Sequence, residues 1–201
     1  MTTLLSIGFL ILGYLSGSLP FSIWITWFVK HVDVRDAGSG HATTSNTIHQ
    51  AGAGWAALVL ILDIAKGFLP TYLALTMVRD DIASYIVPLT AACAVVGHCW
   101  PVFAQFRGGM GLATCGGALL AVSWISFSVA FGFWLILMLA LRHPARASAL
   151  TGLFMALLFW LVNLRGHEFW VAIMCGVIIA SRFHADWNRT YSERWLSQEQ
   201  P

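Results

Sequence analysis

Six long apolar runs, near residues 4–29, 52–78, 82–104, 111–141, 147–164 and 167–183, constrain this chain more than any other feature. A helix needs roughly 20 mostly apolar residues to cross a bilayer, and every run approaches or exceeds that length. Lipid cannot satisfy backbone N–H and C=O groups, so the runs are expected to be helices, and no alternating barrel-strand pattern is visible. Composition agrees: 10% of the 201 residues are charged, against about 25% in soluble domains. The sequence therefore predicts an all-α, multi-pass integral membrane protein. The first run has no basic flank and no clean small-residue cleavage site, so it is expected to remain as a span and not to leave as a signal peptide. No nucleic-acid partner and no obligate protein partner is expected.

Run 111–141 is too long for one ordinary crossing and opens on glycines. We expect a short or re-entrant piece, a turn near Ser123, and a crossing back. With the N-terminus outside, this path gathers Lys30, Arg35, Arg107, Arg142, Arg146, Arg182, Arg189 and Arg194 on the inner side, eight of the eleven Lys and Arg residues. Arg79, beside Asp80 and Asp81, and Arg165, beside Glu168, stay outside. Lys/Arg bias in short loops sets orientation, so five to seven crossings with a cytoplasmic C-terminus are predicted. Three polar segments distant in sequence then face one compartment.

The first is Gly38-Ser39-Gly40-His41-Ala42-Thr43-Thr44-Ser45-Asn46, followed by His49. Gly38 and Gly40 permit close backbone approach, and clustered N–H groups with hydroxyl, amide and imidazole side chains suit an anion. A hydrophilic turn whose Ser/Thr residues cap the next helix is the alternative. The second runs from Gly97-His98-Cys99-Trp100-Pro101 to Phe106-Arg107-Gly108-Gly109-Met110-Gly111-Leu112-Ala113-Thr114. An arginine among glycines is a good phosphate receptor, although a tightly packed hinge would use the same residues. The third, Arg182-Phe183-His184-Ala185-Asp186-Trp187-Asn188-Arg189, follows the last run and would by itself read as an interfacial anchor. Asp63 and Lys66, three apart within run 52–78, share a helix face and read first as a compensating pair, with a role in holding substrate charge as the sharper reading. Cys93, Cys99, Cys115 and Cys175 contain no CxxC pair and read as small buried hydrophobes, so neither disulfide nor metal is implied.

Taken together, Tyr14-Leu15-Ser16-Gly17-Ser18-Leu19-Pro20-Phe21-Ser22, the Gly38–Asn46 string, Leu62-Asp63-Ile64-Ala65-Lys66-Gly67 and the Gly97–Thr114 string resemble, in order and spacing, the bacterial acyl-phosphate:glycerol-3-phosphate acyltransferase family. The resemblance implies a bundle of about seven helices in the bacterial cell membrane, forming one acyltransferase-like domain over 1–201 with 184–201 as a cytoplasmic tail. It also implies acyl transfer from acyl-phosphate to the 1-hydroxyl of glycerol 3-phosphate, giving lysophosphatidic acid and phosphate without a cofactor. Carried onto this chain, it makes Ser39, His184 and Asn188 catalytic candidates. It makes Gly38, Gly40, His41, Asn46, His49, Lys66, His98, Arg107, Gly108, Gly109, Gly111, Thr114 and Arg146 substrate- and phosphate-binding candidates. The chain departs from the family pattern in carrying His41 for an asparagine, His49 for an arginine and Met110 for the lysine of Gly-Gly-Lys-Gly. Residues 142–148 match the family's serine-bearing loop poorly, and Trp187 stands where His-x-x-Asn would place the asparagine. A paralogue using another phosphorylated acceptor, or a non-enzymatic binder or carrier of phospholipid or acyl-phosphate, remains open at this point.

Overall fold

The computed structural model describes residues 2–78 and 85–189. Arg79, Asp80 and Asp81 of the expected outer turn, and the tail beyond Arg189 with Arg194, lie outside the described residues. Among the described residues the chain forms nine α-helices: α1 (Thr2–Gly17), α2 (Phe21–Lys30), α3 (Thr44–Ala51), α4 (Ala53–Met77), α5 (Ile86–Cys99), α6 (Leu112–Val122), α7 (Trp124–Leu141), α8 (Pro144–Leu161) and α9 (His167–His184). Among the described residues, five stretches are long and apolar enough to cross a membrane: Leu4–Lys30, Ala53–Met77, Ile86–Ala104, Trp124–Leu141 and Pro144–Leu161.

Local chemistry accounts for the breaks. Run 4–29 is two helices because Pro20 supplies no N–H and its ring crowds the carbonyl four residues back, leaving Gly17-Ser18-Leu19-Pro20 as the joint. The expected turn in run 111–141 falls at Ser123, whose hydroxyl oxygen accepts from Ser126 N at 3.4 Å and starts α7. The preceding α6 has only 11 residues, about 16 Å of helix, which is short of a hydrocarbon core about 30 Å thick. Pro70, inside α4, leaves the carbonyl of Lys66 without its helical donor. The Ser16 hydroxyl of α1 donates to that carbonyl at 2.9 Å, the kind of rescue that lets proline persist in a spanning helix.

Glycine decides which helices approach most closely. The most extensive packing joins α8 to α9, α4 to α6, and α1 to α5. In each pair a glycine faces the partner's backbone carbonyl with no room for a Cβ: Gly152 and Gly176 on Gly176 and Gly152, Gly67 and Gly117 on Thr114 and Ile64, Gly17 and Gly97 on Ala94 and Tyr14. Small residues give this kind of contact in lipid, where dispersion and backbone proximity replace a hydrophobic driving force. Because Gly13 faces Thr90 and Gly17 faces Ala94, α1 and α5 run in the same direction. The ends of α1, α5, α7 and α9 and the starts of α6 and α8 therefore gather at one end of the bundle, and the polar segments meet there.

Candidate functional site

The first polar string is folded by an amide. Asn46, fully buried at the start of α3, uses its side-chain N–H groups on three carbonyls: Val34 (2.6 Å), Ala37 (3.1 Å) and His41 (3.1 Å). Gln50, one turn on, donates to Val34 O at 2.8 Å. The loop between them turns through Gly38 and Gly40, at φ 60° and 70°, where a Cβ would be strained. Thr43 caps α3 by accepting from Asn46 N at 3.3 Å, so the capping reading of this string holds for that residue.

Arg35 joins this loop to the second string. Its guanidinium binds both carboxylate oxygens of Asp33, at 2.9 Å from Nε and 2.6 Å from Nη2, and donates from Nη1 to Ala104 O at 2.9 Å and Arg107 O at 3.3 Å. The Arg35 hydrogen bond, with further help from the charge of Arg107, holds the Asp33 carboxyl below its usual range. Arg107 itself is exposed. Ala42 N reaches Gly108 O at 3.4 Å, while Gly108 N and Gly109 N turn back onto the carbonyls of Cys99 and His98 at 3.3 and 3.1 Å. A Cβ at Gly109 would run into His98 Nε2 and stand 2.5 Å from Ala42 O. The two strings thus pass backbone against backbone. Gly111, at φ 86°, begins α6.

On the inner side of this crossing lies a buried charged centre. Lys66 Nζ is 2.8 Å from Asp63 Oδ1, donates to Leu19 O at 3.0 Å and sits over the Phe21 ring. His98 Nδ1 is 3.7 Å from the same carboxylate oxygen, beyond hydrogen-bond reach. Lys66, His98, Ala42, Gly108 and Gly109 line a cavity of about 10 Å³, room for about one water-sized group and too little for phosphate. Thr114, fully buried on α6, packs beside Gly67. Asp63 and Lys66 therefore form the buried ion pair that their spacing suggests.

The segment after α9 closes the outer side. Arg182 Nη2 donates to Gly109 O at 2.9 Å and its guanidinium lies over Trp100. Asp186 Oδ2 is 3.0 Å from His41 Nε2 and accepts from Arg189 Nη1 at 2.7 Å. Arg189 Nη2 continues to Ser39 O at 2.6 Å, and Ser39 Oγ accepts from His41 N at 3.3 Å. Burial pushes the His41 imidazole below its ordinary range; Asp186 opposes the shift, while Arg182 and Arg189 add to it. Arg146, at the start of α8, donates to Trp187 O at 3.1 Å and stacks on that ring.

The structure thus brings Ser39, His41, Gly108, Gly109 and the tail together. His184 and Asn188 are exposed, and the tail residues that reach the first string are Asp186 and Arg189. His49 is exposed on α3 and lines a separate open polar cleft of about 600 Å³ with Lys30, His31 and Asp33. The sequence reading passed over Asp33, Arg35, Asp186 and Arg189 as site residues. The available signal was charge of both signs beside each glycine string. Next to the second string, an apolar cleft of about 380 Å³ begins at Leu112 and Ala113 and is walled by Leu119, Phe127, Phe131 and Trp134. Met110 is buried in the apolar core with Cys99, Cys115 and Phe183.

Comparison with known proteins gives a consistent set of relatives. The profile of the Glycerol-3-phosphate acyltransferase family matches residues 7–193. The chain is 34% identical over 178 residues to Glycerol-3-phosphate acyltransferase 2 of Thermotoga maritima, covering 89% of this chain and 88% of that one. It is 31% identical over 195 residues to Glycerol-3-phosphate acyltransferase of Photorhabdus laumondii, covering 97% and 85%. Its fold is similar to the crystal structure of PlsY, an integral membrane glycerol 3-phosphate acyltransferase, in the glycerol 3-phosphate form, with a TM-score of 0.82, 32% identity, and 92% and 90% of the two chains covered. The lysophosphatidic acid form of the same enzyme gives a TM-score of 0.78 at 30% identity, with the same coverage.

Proposed function

The chain belongs to the glycerol-3-phosphate acyltransferase family, and from that membership we propose that it transfers a fatty acyl group from acyl-phosphate to the 1-hydroxyl of glycerol 3-phosphate, releasing lysophosphatidic acid and phosphate. One observation carries the reading to this chain. Three guanidiniums, Arg35, Arg182 and Arg189, converge on the backbone of the two glycine strings where Ser39 and Gly109 lie. Preorganised cations and N–H groups of this kind stabilise phosphate charge and the oxyanion that forms at the attacked carbonyl. Acyl-phosphate is already activated, so alignment of the acceptor hydroxyl supplies much of the remaining rate.

In this reading Ser39 and the converging guanidiniums contact the phosphates, and the apolar cleft beside Leu112 takes the donor's acyl chain. Lys30, Arg35, Arg107, Arg142, Arg146, Arg182 and Arg189 belong to the end of the bundle that holds the strings. By the positive-inside bias that end faces the cytoplasm, in the bacterial plasma membrane, with the N-terminus outside.

The test is product formation by purified protein given palmitoyl-phosphate and glycerol 3-phosphate, with Ser39→Ala alongside. Lysophosphatidic acid from the wild type and at least a hundredfold less from the variant is the expected result. An inactive, monodisperse wild type would refute the reading. The buried Met110, in place of a family lysine, favours a second reading with a different phosphorylated acceptor; a panel of phosphorylated polyols in the same assay separates the two.

A further inference from the structure

His41, Asp186, Arg189 and Ser39 form a closed ring of contacts between the first loop and the end of α9. An ionised carboxylate only accepts hydrogen bonds, so in the Asp186 contact His41 Nε2 carries the proton and donates. That fixes the tautomer and leaves Nδ1 as the basic nitrogen, without a hydrogen-bond partner among the described residues. The side chains are partly buried, with 25% of His41 and 16% of Asp186 exposed, so the ring is held yet reachable. Ala42, the next residue, hydrogen-bonds Gly108, which puts the imidazole beside the crossing of the two strings.

We propose that His41 is the general base of this enzyme, taking the proton of the attacking acceptor hydroxyl on Nδ1, and that Asp186 is the residue that positions it. The inference rests on the acyltransferase reading. As the hydroxyl oxygen forms its bond to the acyl carbon, its proton passes to Nδ1. The bond from that carbon to the phosphate oxygen breaks, phosphate leaves with the electron pair, and Nδ1 returns its proton to the phosphate or to water. Charge around the ring favours this role over anion binding. Burial together with Arg182 and Arg189 keeps the imidazole neutral near pH 7 against the pull of Asp186, and a neutral ring accepts a proton but contributes no positive charge. Arg189 already compensates Asp186.

The experiment compares wild type with His41→Gln and Asp186→Asn in the palmitoyl-phosphate assay from pH 5 to 9, each checked as monodisperse. Taking the ratio of wild-type to variant rates cancels the titration of the substrates' own phosphates. For His41→Gln we expect kcat to fall about 10²-fold or more with KM for glycerol 3-phosphate within threefold, and the ratio to climb with pH up to a midpoint below 6.5 and then level off. Asp186→Asn keeps its shape and should lose about tenfold in kcat, with the midpoint displaced to lower pH because the carboxylate no longer favours the protonated ring. If His41→Gln does not fold, His41→Gly with added imidazole replaces it, and recovery of turnover with imidazole is the expected result. A His41→Gln enzyme within threefold of wild-type kcat would overturn the inference, as would a ratio that falls above pH 6.5, the signature of an imidazolium holding phosphate. Wild-type protein that makes no product would instead remove the acyltransferase reading on which it stands.

Discussion

Gly109→Ala tests whether the close crossing of the two strings is what builds the site. The added Cβ would stand 2.5 Å from the Ala42 carbonyl oxygen, where ordinary contact begins at 3.4 Å, and would also meet the imidazole of His98. His98 cannot swing away easily, because its side chain is buried between α4 and the second string. The strings must therefore part by about 0.9 Å. The Ala42–Gly108 hydrogen bond is already 3.4 Å long and would not survive, a loss of about 0.5–1.5 kcal/mol. Overpacking adds about 1–3 kcal/mol, so the total is about 1.5–4.5 kcal/mol of local order. A displacement near 1 Å at a reacting site costs on the order of 10²-fold in rate. The expected outcome is a hundredfold or larger fall in kcat/KM for glycerol 3-phosphate, with a lowered thermal midpoint in detergent. Gly132→Ala, in α7, meets nothing within 4 Å and should leave turnover within threefold. Equal activity of the two variants would refute the claim that string separation limits the chemistry.

Two further predictions concern the scaffold. Asn46→Ala should lower stability by about 1–3 kcal/mol by stranding buried carbonyls. Asn46→Asp should cost more, since its charge would face Val34 O, Ala37 O and His41 O, and the order of thermal midpoints in detergent checks this. Asp63→Asn or Lys66→Met alone should cost about 3–5 kcal/mol, because each leaves a buried charge without its partner. The double variant should recover at least half of that in a denaturation cycle, and strict additivity would argue against the pairing.

The helices were legible from apolar length, and even the break at Ser123 could be read, because a 31-residue run that opens on glycine must fold back. The joint at Gly17–Pro20 was hidden inside an apolar run that was long enough to span as one helix. Charge bias correctly brought the three polar segments to one end. The partners within the site were not legible. The His41–Asp186 contact links residues 145 apart, and no local periodicity reports such a pair. In the tail, spacing to a family motif drew attention to His184 and Asn188, whereas the turns after α9 leave both exposed and point Asp186 and Arg189 at the loop. Asn46 was read as a binding group by its chemistry, and in the structure its amide N–H groups hold the loop's own carbonyls.

The cations of this site have been redistributed, and their new places alter how an anion would be held. Where the family pattern has a lysine between glycines, Met110 is buried with Cys99, Cys115 and Phe183, an apolar setting in which an ammonium would be desolvated without a partner. Positive charge arrives instead from the end of α9 and from Arg35. Their hydrogen bonds go to backbone carbonyls of Ser39, Gly109, Ala104 and Arg107. Those bonds use donors but do not neutralise charge: a guanidinium has five N–H groups and stays protonated, and only Arg35 and Arg189 among the three face carboxylates. Of the three, Arg182 faces no carboxylate among the described residues and is fixed by Gly109 O and by the Trp100 ring. In the proposed reading, phosphate is then held by a charge fixed near the end of α9 and not by a lysine within the glycine string. The loop backbone is correspondingly free to be shaped by Asn46 and Arg35.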